Sequence, residues 1–295
     1  MDGMAIGANA GRRGAMFLAA VVLALGAVVV RAQFASGITL VEVYATVTDT
    51  HGGPVPGLGQ RDFQVFEDGA PQRITTFASG DVPLALALAI DRSWSMAGAR
   101  LSLARAAART FLERLRPGDR AMIVAVASDI EVVAPLSAER AQALQALARL
   151  QPWSTTGLHD AIIACIDMIQ PAGGRRALVL LSDGVDRFSR ATAADALERA
   201  RTSDVLIYPI ALGGPRPALF PELAALTGGQ SFELRDPRQI DKTLSTIAEE
   251  LRHQYLLGYT PSRPIDPARP EWRGVQVKVN RAGVRVRVRD GYLAR

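Results

Sequence analysis

The chain has 295 residues, of which 48% are hydrophobic and 21% charged, a balance that excludes bulk disorder and leaves room for one large domain or an average domain with a small companion. Its formal charge of +5 is almost all arginine, with Lys242 and Lys278 the only lysines, and no basic stripe interleaves with aromatics, so nucleic acid is not an expected partner. The lone Cys165 rules out an intramolecular disulfide, and its apolar helical surroundings mark it as a buried structural thiol.

Residues 1–32 have the form of a leader. Arg12 and Arg13 precede a weakly polar and apolar stretch from Gly14 to Val30, and Val30-Arg31-Ala32 places small residues at the −3 and −1 positions of a cut before Gln33. The expectation is a cleaved signal peptide, with an uncleaved N-terminal membrane anchor as the alternative. Either makes the remainder an exported chain, periplasmic or secreted.

Residues 34–80 read as all-β. Val41, Val43, Ala45 and Val47 alternate with mostly polar residues, Asp49 to Gly53 forms a turn, and short strands are expected over 62–66 and 74–77. From 81 to 252 the pattern changes to alternating strands and amphipathic helices. Strands are expected at 84–90, 121–127, 177–181, 205–211 and 231–234, with a possible antiparallel edge at 130–134. Helices are expected at 99–115, 138–150, 158–169, 191–201, 218–226 and 237–252. Such alternation predicts an α/β fold with a doubly wound, mostly parallel sheet.

Residues 253–295 return to β. Val275, Val277 and Val279 alternate with polar residues, as do Val284, Val286 and Val288 beyond the Asn280–Gly283 turn. The pair reads as a hairpin with one apolar and one basic face, and the Arg285, Arg287 and Arg289 side is expected to be a solvated edge. Neither β-rich flank has enough strands for a stable core, so 34–80 and 253–295 are expected to pair into one small β-sandwich around the α/β insert.

The apolar run from Leu84 to Ile90 ends in Asp91-x-Ser93-x-Ser95. A run of that kind before a helical pattern reads as a central parallel strand, and ligand sites in such sheets lie beyond the carboxyl ends of the strands. A carboxylate and two hydroxyls on one tight turn form a hard-oxygen cluster suited to Mg²⁺ or Mn²⁺. Thr156, just before the helix at 158–169, and Asp183, directly after the strand at 177–181, belong to the same rim.

With those residues in place the chain resembles the von Willebrand factor A (VWA) domain family. The family's metal-ion-dependent adhesion site, or MIDAS, is written Asp-x-Ser-x-Ser, then Thr before a helix, then Asp after a later strand. Asp91, Ser93, Ser95, Thr156 and Asp183 match every position. The flanking segments Phe66-Glu67-Asp68-Gly69, Gln254 to Tyr259 and Asp290-Gly291-Tyr292 resemble the bacterial "VWFA-related" subgroup common in Acidobacteria. The resemblance implies binding of a protein or other envelope partner that offers a carboxylate to the metal, and no enzymatic activity. A structural envelope protein whose metal only staples loops is the alternative, followed by a serine hydrolase.

Trp94 departs from the family, which commonly has glycine between the two serines. A large aromatic does not fit inside a tight metal loop, so Trp94, with Trp153 beside the Thr loop, is a candidate partner contact at the rim. His159 suggests a pair with Ser93, but no Gly-x-Ser-x-Gly elbow is present and a histidine at a helix start is structural by default. Asp186 reads as a local cap or surface group.

Overall fold

The computed structural model describes residues 40–80 and 82–295; the expected leader over 1–32 lies outside the described residues. The first flank supplies β1 (Val41–Asp49), β2 (Phe63–Glu67), β3 (Ala70–Gln72) and β4 (Ile74–Ser79). The α/β centre follows as β5 (Leu84–Asp91), α1 (Ala99–Glu113), β6 (Arg120–Val126), β7 (Ile130–Ser137), α2 (Arg140–Arg149), α3 (Leu158–Ile169), β8 (Arg175–Ser182), α4 (Ala193–Arg201), β9 (Val205–Leu212), α5 (Leu219–Thr227), β10 (Phe232–Leu234) and α6 (Ile240–Arg252). The second flank supplies β11 (Tyr255–Tyr259), β12 (Glu271–Val279), β13 (Val284–Arg287) and β14 (Gly291–Ala294).

The central sheet has the order β10-β9-β8-β5-β6-β7, parallel except for β7, which runs antiparallel to β6 at the edge. Strand β5 explains how the layers form. Leu84, Leu86, Leu88 and Ile90 face one core with Phe111 and Leu112 of α1 and Ile247 of α6. Ala85, Ala87 and Ala89 face the other, against Ile162, Cys165 and Ile166 of α3. The period of two sends alternate residues to opposite faces, and the small alanines let α3 lie close to the sheet. Each fully buried leucine contributes about 1.5–3 kcal/mol by leaving water. Among the described residues no helix is long and apolar enough to cross a membrane.

The flanks combine into two four-stranded sheets, β13-β1-β11-β4 and β14-β12-β2-β3, each drawing strands from both ends of the described chain. Val43, Val65, Tyr255, Leu257 and Tyr259 form the core between them. The hairpin expected over 275–288 does not form. β12 pairs with β2 and β14, whereas β13 pairs with β1 in the other sheet. The valines of both strands still enter one core, from opposite sides of it. Alternation marks the apolar face of a strand but not its hydrogen-bonded neighbour, and here the 280–283 turn is a corner between sheets.

The arginine face is corrected by the same geometry. Arg285 is exposed, but Arg287 reaches the buried Glu250 of α6, Nη1 donates to Gln230 Oε1 at 3.0 Å, and Nε donates to Gly228 O at 3.1 Å. Tyr208 Oη donates to the same Glu250 at 2.6 Å, and Gln254 Nε2 donates to Thr46 Oγ1 at 2.9 Å. This polar network joins the sandwich to the α/β layer.

Candidate metal centre

The chain runs outward from β5 through β6 to β7, then returns to β8 on the other side of β5. The carboxyl ends of β5 and β8 therefore flank the point where the strand order reverses, the usual ligand crevice of an open α/β sheet. Asp91 ends β5, and Ser182 ends β8 with Asp183 next to it.

Asp91 is fully buried. Its Oδ1 accepts the Ser93 N–H at 2.9 Å, its Oδ2 accepts the Ser182 hydroxyl at 2.6 Å, and Thr156 Oγ1 lies 3.5 Å from both oxygens. Burial pushes the Asp91 carboxyl above its usual range; the hydrogen bonds from Ser182 and Ser93 oppose that shift, and the like charge of Asp183 adds to it. Ser93 Oγ and Ser95 Oγ lie 3.0 Å apart, the first buried and the second open to solvent.

Thr156 is positioned by its neighbours. Its carbonyl accepts the N–H groups of Arg187 at 2.9 Å and Phe188 at 3.0 Å, and the next N–H, of Gly157, donates to Ala127 O at 2.8 Å. Asp186 accepts the Leu158 N–H at 2.6 Å and so caps α3, as expected of a local cap. The Thr loop and the Asp183 loop are thus hydrogen-bonded to each other.

Asp183 is buried, with Oδ1 accepting the Val185 N–H at 3.2 Å. Arg100 of α1 places Nη1 3.9 Å from Asp183 Oδ2 and donates to Ser95 O at 3.1 Å. Gly184 turns the chain after Asp183 with φ of +84°, and a Cβ there would meet Pro217 Cγ at 2.3 Å. Only glycine satisfies both conditions.

The five sequence-selected residues therefore meet at one rim. Among the described residues no three His, Cys, Asp or Glu side chains come together, so hydroxyls must complete any cation site. A hard divalent cation fits the donor set. Asp91 is a buried carboxylate whose hydrogen-bond donors are all neutral, and no ion pair to it occurs among the described residues. Buried charge of that kind calls for a counter-charge. Ser182 was not selected from the sequence; a hydroxyl interrupting an apolar strand one residue before Asp183 was the available signal.

Trp94 and Trp153 are 65% and 52% exposed. The Trp94 N–H donates to Ser154 O at 3.0 Å and the Trp153 N–H to Arg92 O at 2.7 Å, so their two loops are hydrogen-bonded together. His159 Nδ1 lies 3.2 Å from Ala191 O and 3.7 Å from Asp186 Oδ2, a capping position.

Residues 86–185 match the sequence profile of the von Willebrand factor type A domain. The match spans the β5–β8 part of the chain, and the doubly wound sheet there agrees with it. A von Willebrand factor type A protein from Catenulispora acidiphila shares the fold at 16% identity and a TM-score of 0.51, over 88% of this chain and 74% of that one. Proximal thread matrix protein 1 from the mussel byssus, solved with a zinc-occupied MIDAS motif, aligns at 14% identity and a TM-score of 0.55, over 64% of this chain and 50% of that one. The PilB minor pilin of Streptococcus sanguinis aligns at 13% identity and a TM-score of 0.51, over 59% and 62%. Identities this low establish the fold alone. No curated protein matches the chain in sequence.

Proposed function

We propose that this protein is an exported binding module that holds a macromolecular partner through a divalent cation, Mg²⁺ or Mn²⁺, at the β5/β8 rim. The observation that carries the reading is Asp91, a fully buried carboxylate surrounded by hydroxyl and amide donors at the carboxyl edge of the sheet. Ser93, Ser95 and Thr156 would hold the ion with their hydroxyls, and Asp91 and Asp183 would balance its charge. The ion would supply an electrophilic position that a partner's Asp or Glu completes. Arg100, which touches the Ser95 carbonyl and lies beside Asp183, would keep the two halves of the site in register.

Catalysis is not part of this reading. Ser93 and Ser95 hydrogen-bond each other, while the neighbouring histidine, His159, is occupied at the start of α3. Export follows from the leader-like segment at 1–32, and the zinc-occupied MIDAS of the mussel protein supports a cation at this place in the fold.

The test uses the full chain. Calorimetric titration with MgCl₂ and MnCl₂ should give saturable binding that Asp91→Ala abolishes. A pull-down from envelope extracts should recover a partner with Mg²⁺ and lose it with excess chelator. Partner binding that survives both Asp91→Ala and chelator overturns the metal bridge. If chelation lowers thermal stability without altering binding, the metal only staples loops.

A further inference from the structure

A cavity lies at the edge of the central sheet opposite the metal centre, where β5 and β8 begin and where α1 and α6 end. Its volume is about 160 Å³. That leaves room for a small ion and a few waters at about 30 Å³ each. Arg175, the first residue of β8, lines it together with Arg114, Arg116, Arg252 and Asp119. Arg175 is 3% exposed, yet its Nε and Nη1 have no hydrogen-bond partner among the described residues. No carboxylate among those residues forms an ion pair with it. Its Nη2 donates to Val82 O at 3.2 Å, and Val82 is part of the cavity wall, so the guanidinium stands at that wall.

The charges around the cavity do not cancel. Asp119 keeps its negative charge while accepting the N–H groups of Leu84 at 3.0 Å and Arg116 at 2.8 Å. Four guanidinium groups against that one carboxylate leave the described lining positive. Three of the four are engaged: Arg116 Nη1 donates to Gly80 O at 2.7 Å, Arg252 to Arg114 O, and Arg114 to Ser245 Oγ. The carbonyls at the end of α1, which would repel an anion, are covered by Arg252 and by Arg140, whose Nη2 donates to Arg116 O at 2.8 Å. Arg175 is the group left over. A guanidinium keeps its proton in proteins, and a buried charge needs a counter-charge and hydrogen-bond partners.

We infer that this cavity is an anion site that takes a free tetrahedral oxyanion, phosphate or sulfate, with Arg175 as its buried anchor. The ion supplies the charge and the acceptors that Arg175 lacks, and arginine matches the several oxygens of such an ion better than a single acceptor. The lining grades outward from the buried Arg175 through the half-buried Arg116 and Arg252 to the exposed Arg114, so the positive charge leads from the mouth to the floor. The depth of Arg175 favours a free ion over a phosphate tethered to a larger molecule. Bound there, the ion ties the ends of α1 and α6 to the start of β8. The site is independent of the metal centre, which lies at the carboxyl ends of the same strands.

Calorimetric titration of the full chain in chloride-free buffer with chelator tests this, using sodium phosphate, sodium sulfate and sodium chloride in turn. Phosphate or sulfate should bind saturably at one site per chain, and chloride more weakly. Arg175→Met should weaken the oxyanion at least about thirtyfold, as loss of one member of a buried charge pair does. Arg114→Gln, exposed at the mouth, should weaken it about two- to fivefold. Thermal melts give a second readout. Without oxyanion Arg175→Met should melt at or above the wild-type temperature, because it removes an uncompensated buried charge, and added phosphate should raise the melting temperature of the wild type alone. No saturable binding, or chloride bound as tightly as phosphate, overturns the inference. So does phosphate binding unchanged in Arg175→Met, or unchanged in Arg114→Gln where only that variant folds. Sedimentation with phosphatidic acid vesicles that Arg175→Met abolishes, in a chain that binds no free phosphate, also overturns it.

Discussion

The hydroxyl of Ser182 lies 2.6 Å from Asp91 Oδ2 and accepts the Gly184 N–H at 2.9 Å. With its acceptor side used by Gly184, its single proton is committed to Asp91. Two neighbouring strands are thereby locked together at the candidate metal centre. Ser182→Ala should destabilise the protein by about 1–3 kcal/mol, because it removes a donor from a buried charged group. Cation affinity should fall with it, since the Asp91 carboxylate loses an orienting contact. Urea denaturation and MgCl₂ titration of the variant read the two effects separately.

Asp91→Asn separates charge from shape. Burial raises the Asp91 carboxyl, so holding it ionised strains the metal-free fold. In chelator the amide variant should therefore melt at or above the wild-type temperature. In MgCl₂ the order should reverse, because a ligand at a hundred times its Kd stabilises by about 2.7 kcal/mol and the variant lacks that gain. Thermal melts with and without MgCl₂ decide the matter, and a variant that still responds to Mg²⁺ counts against Asp91 as part of the site.

The sandwich carries its own test in Arg273. Its side chain is buried with Glu67, at 3.0 Å from Nη1 to Oε1, and it also donates to the carbonyls of Arg263 and Pro264 at 2.7 Å each. Tyr259 and Tyr292 donate to the other Glu67 oxygen at 2.9 and 2.7 Å. Arg273→Met leaves that carboxylate buried without its cation and should cost about 3–5 kcal/mol by chemical denaturation. Adding Glu67→Gln should recover part of the loss, since the stranded charge is then gone.

Cys165 is fully buried on the sheet-facing side of α3, and burial pushes its thiol up to about 12. Burial penalises the thiolate, so at pH 8 the native protein should not react with a thiol-specific chromogenic reagent. In denaturant the same reagent should modify the cysteine fully. Rapid labelling of native protein would show that α3 opens readily from the sheet.

Much of the α/β layer was legible beforehand because its signals are local. Strand β5 is apolar on both faces, which only a doubly covered strand tolerates, and the helices around it carry their own periodicity. Asp91, Ser93, Ser95, Thr156 and Asp183 were legible because strand–helix order alone puts them at one sheet edge. Ser182 was not, because a serine closing a strand reads as an ordinary strand residue until β8 lies beside β5. Val185 and Phe188 were missed because apolar residues in a loop are assumed to pack, and their exposure depends on where Asp186 and Thr156 fasten that loop.

The amino-acid sequence by itself determined which face of each strand and helix is apolar, and hence the layered α/β domain with its oxygen-rich rim. The tertiary structure decided which strands pair across the sandwich, sending β12 and β13 to different sheets and Arg287 inward to Glu250. It also decided that Ser182 holds Asp91 and that Trp94, Trp153, Val185 and Phe188 stay exposed on the loops of the rim. The division has one physical cause. Side-chain periodicity follows from backbone geometry within a few residues, whereas the choice of partner depends on groups brought together from distant parts of the chain, and those meet only once the whole core has closed.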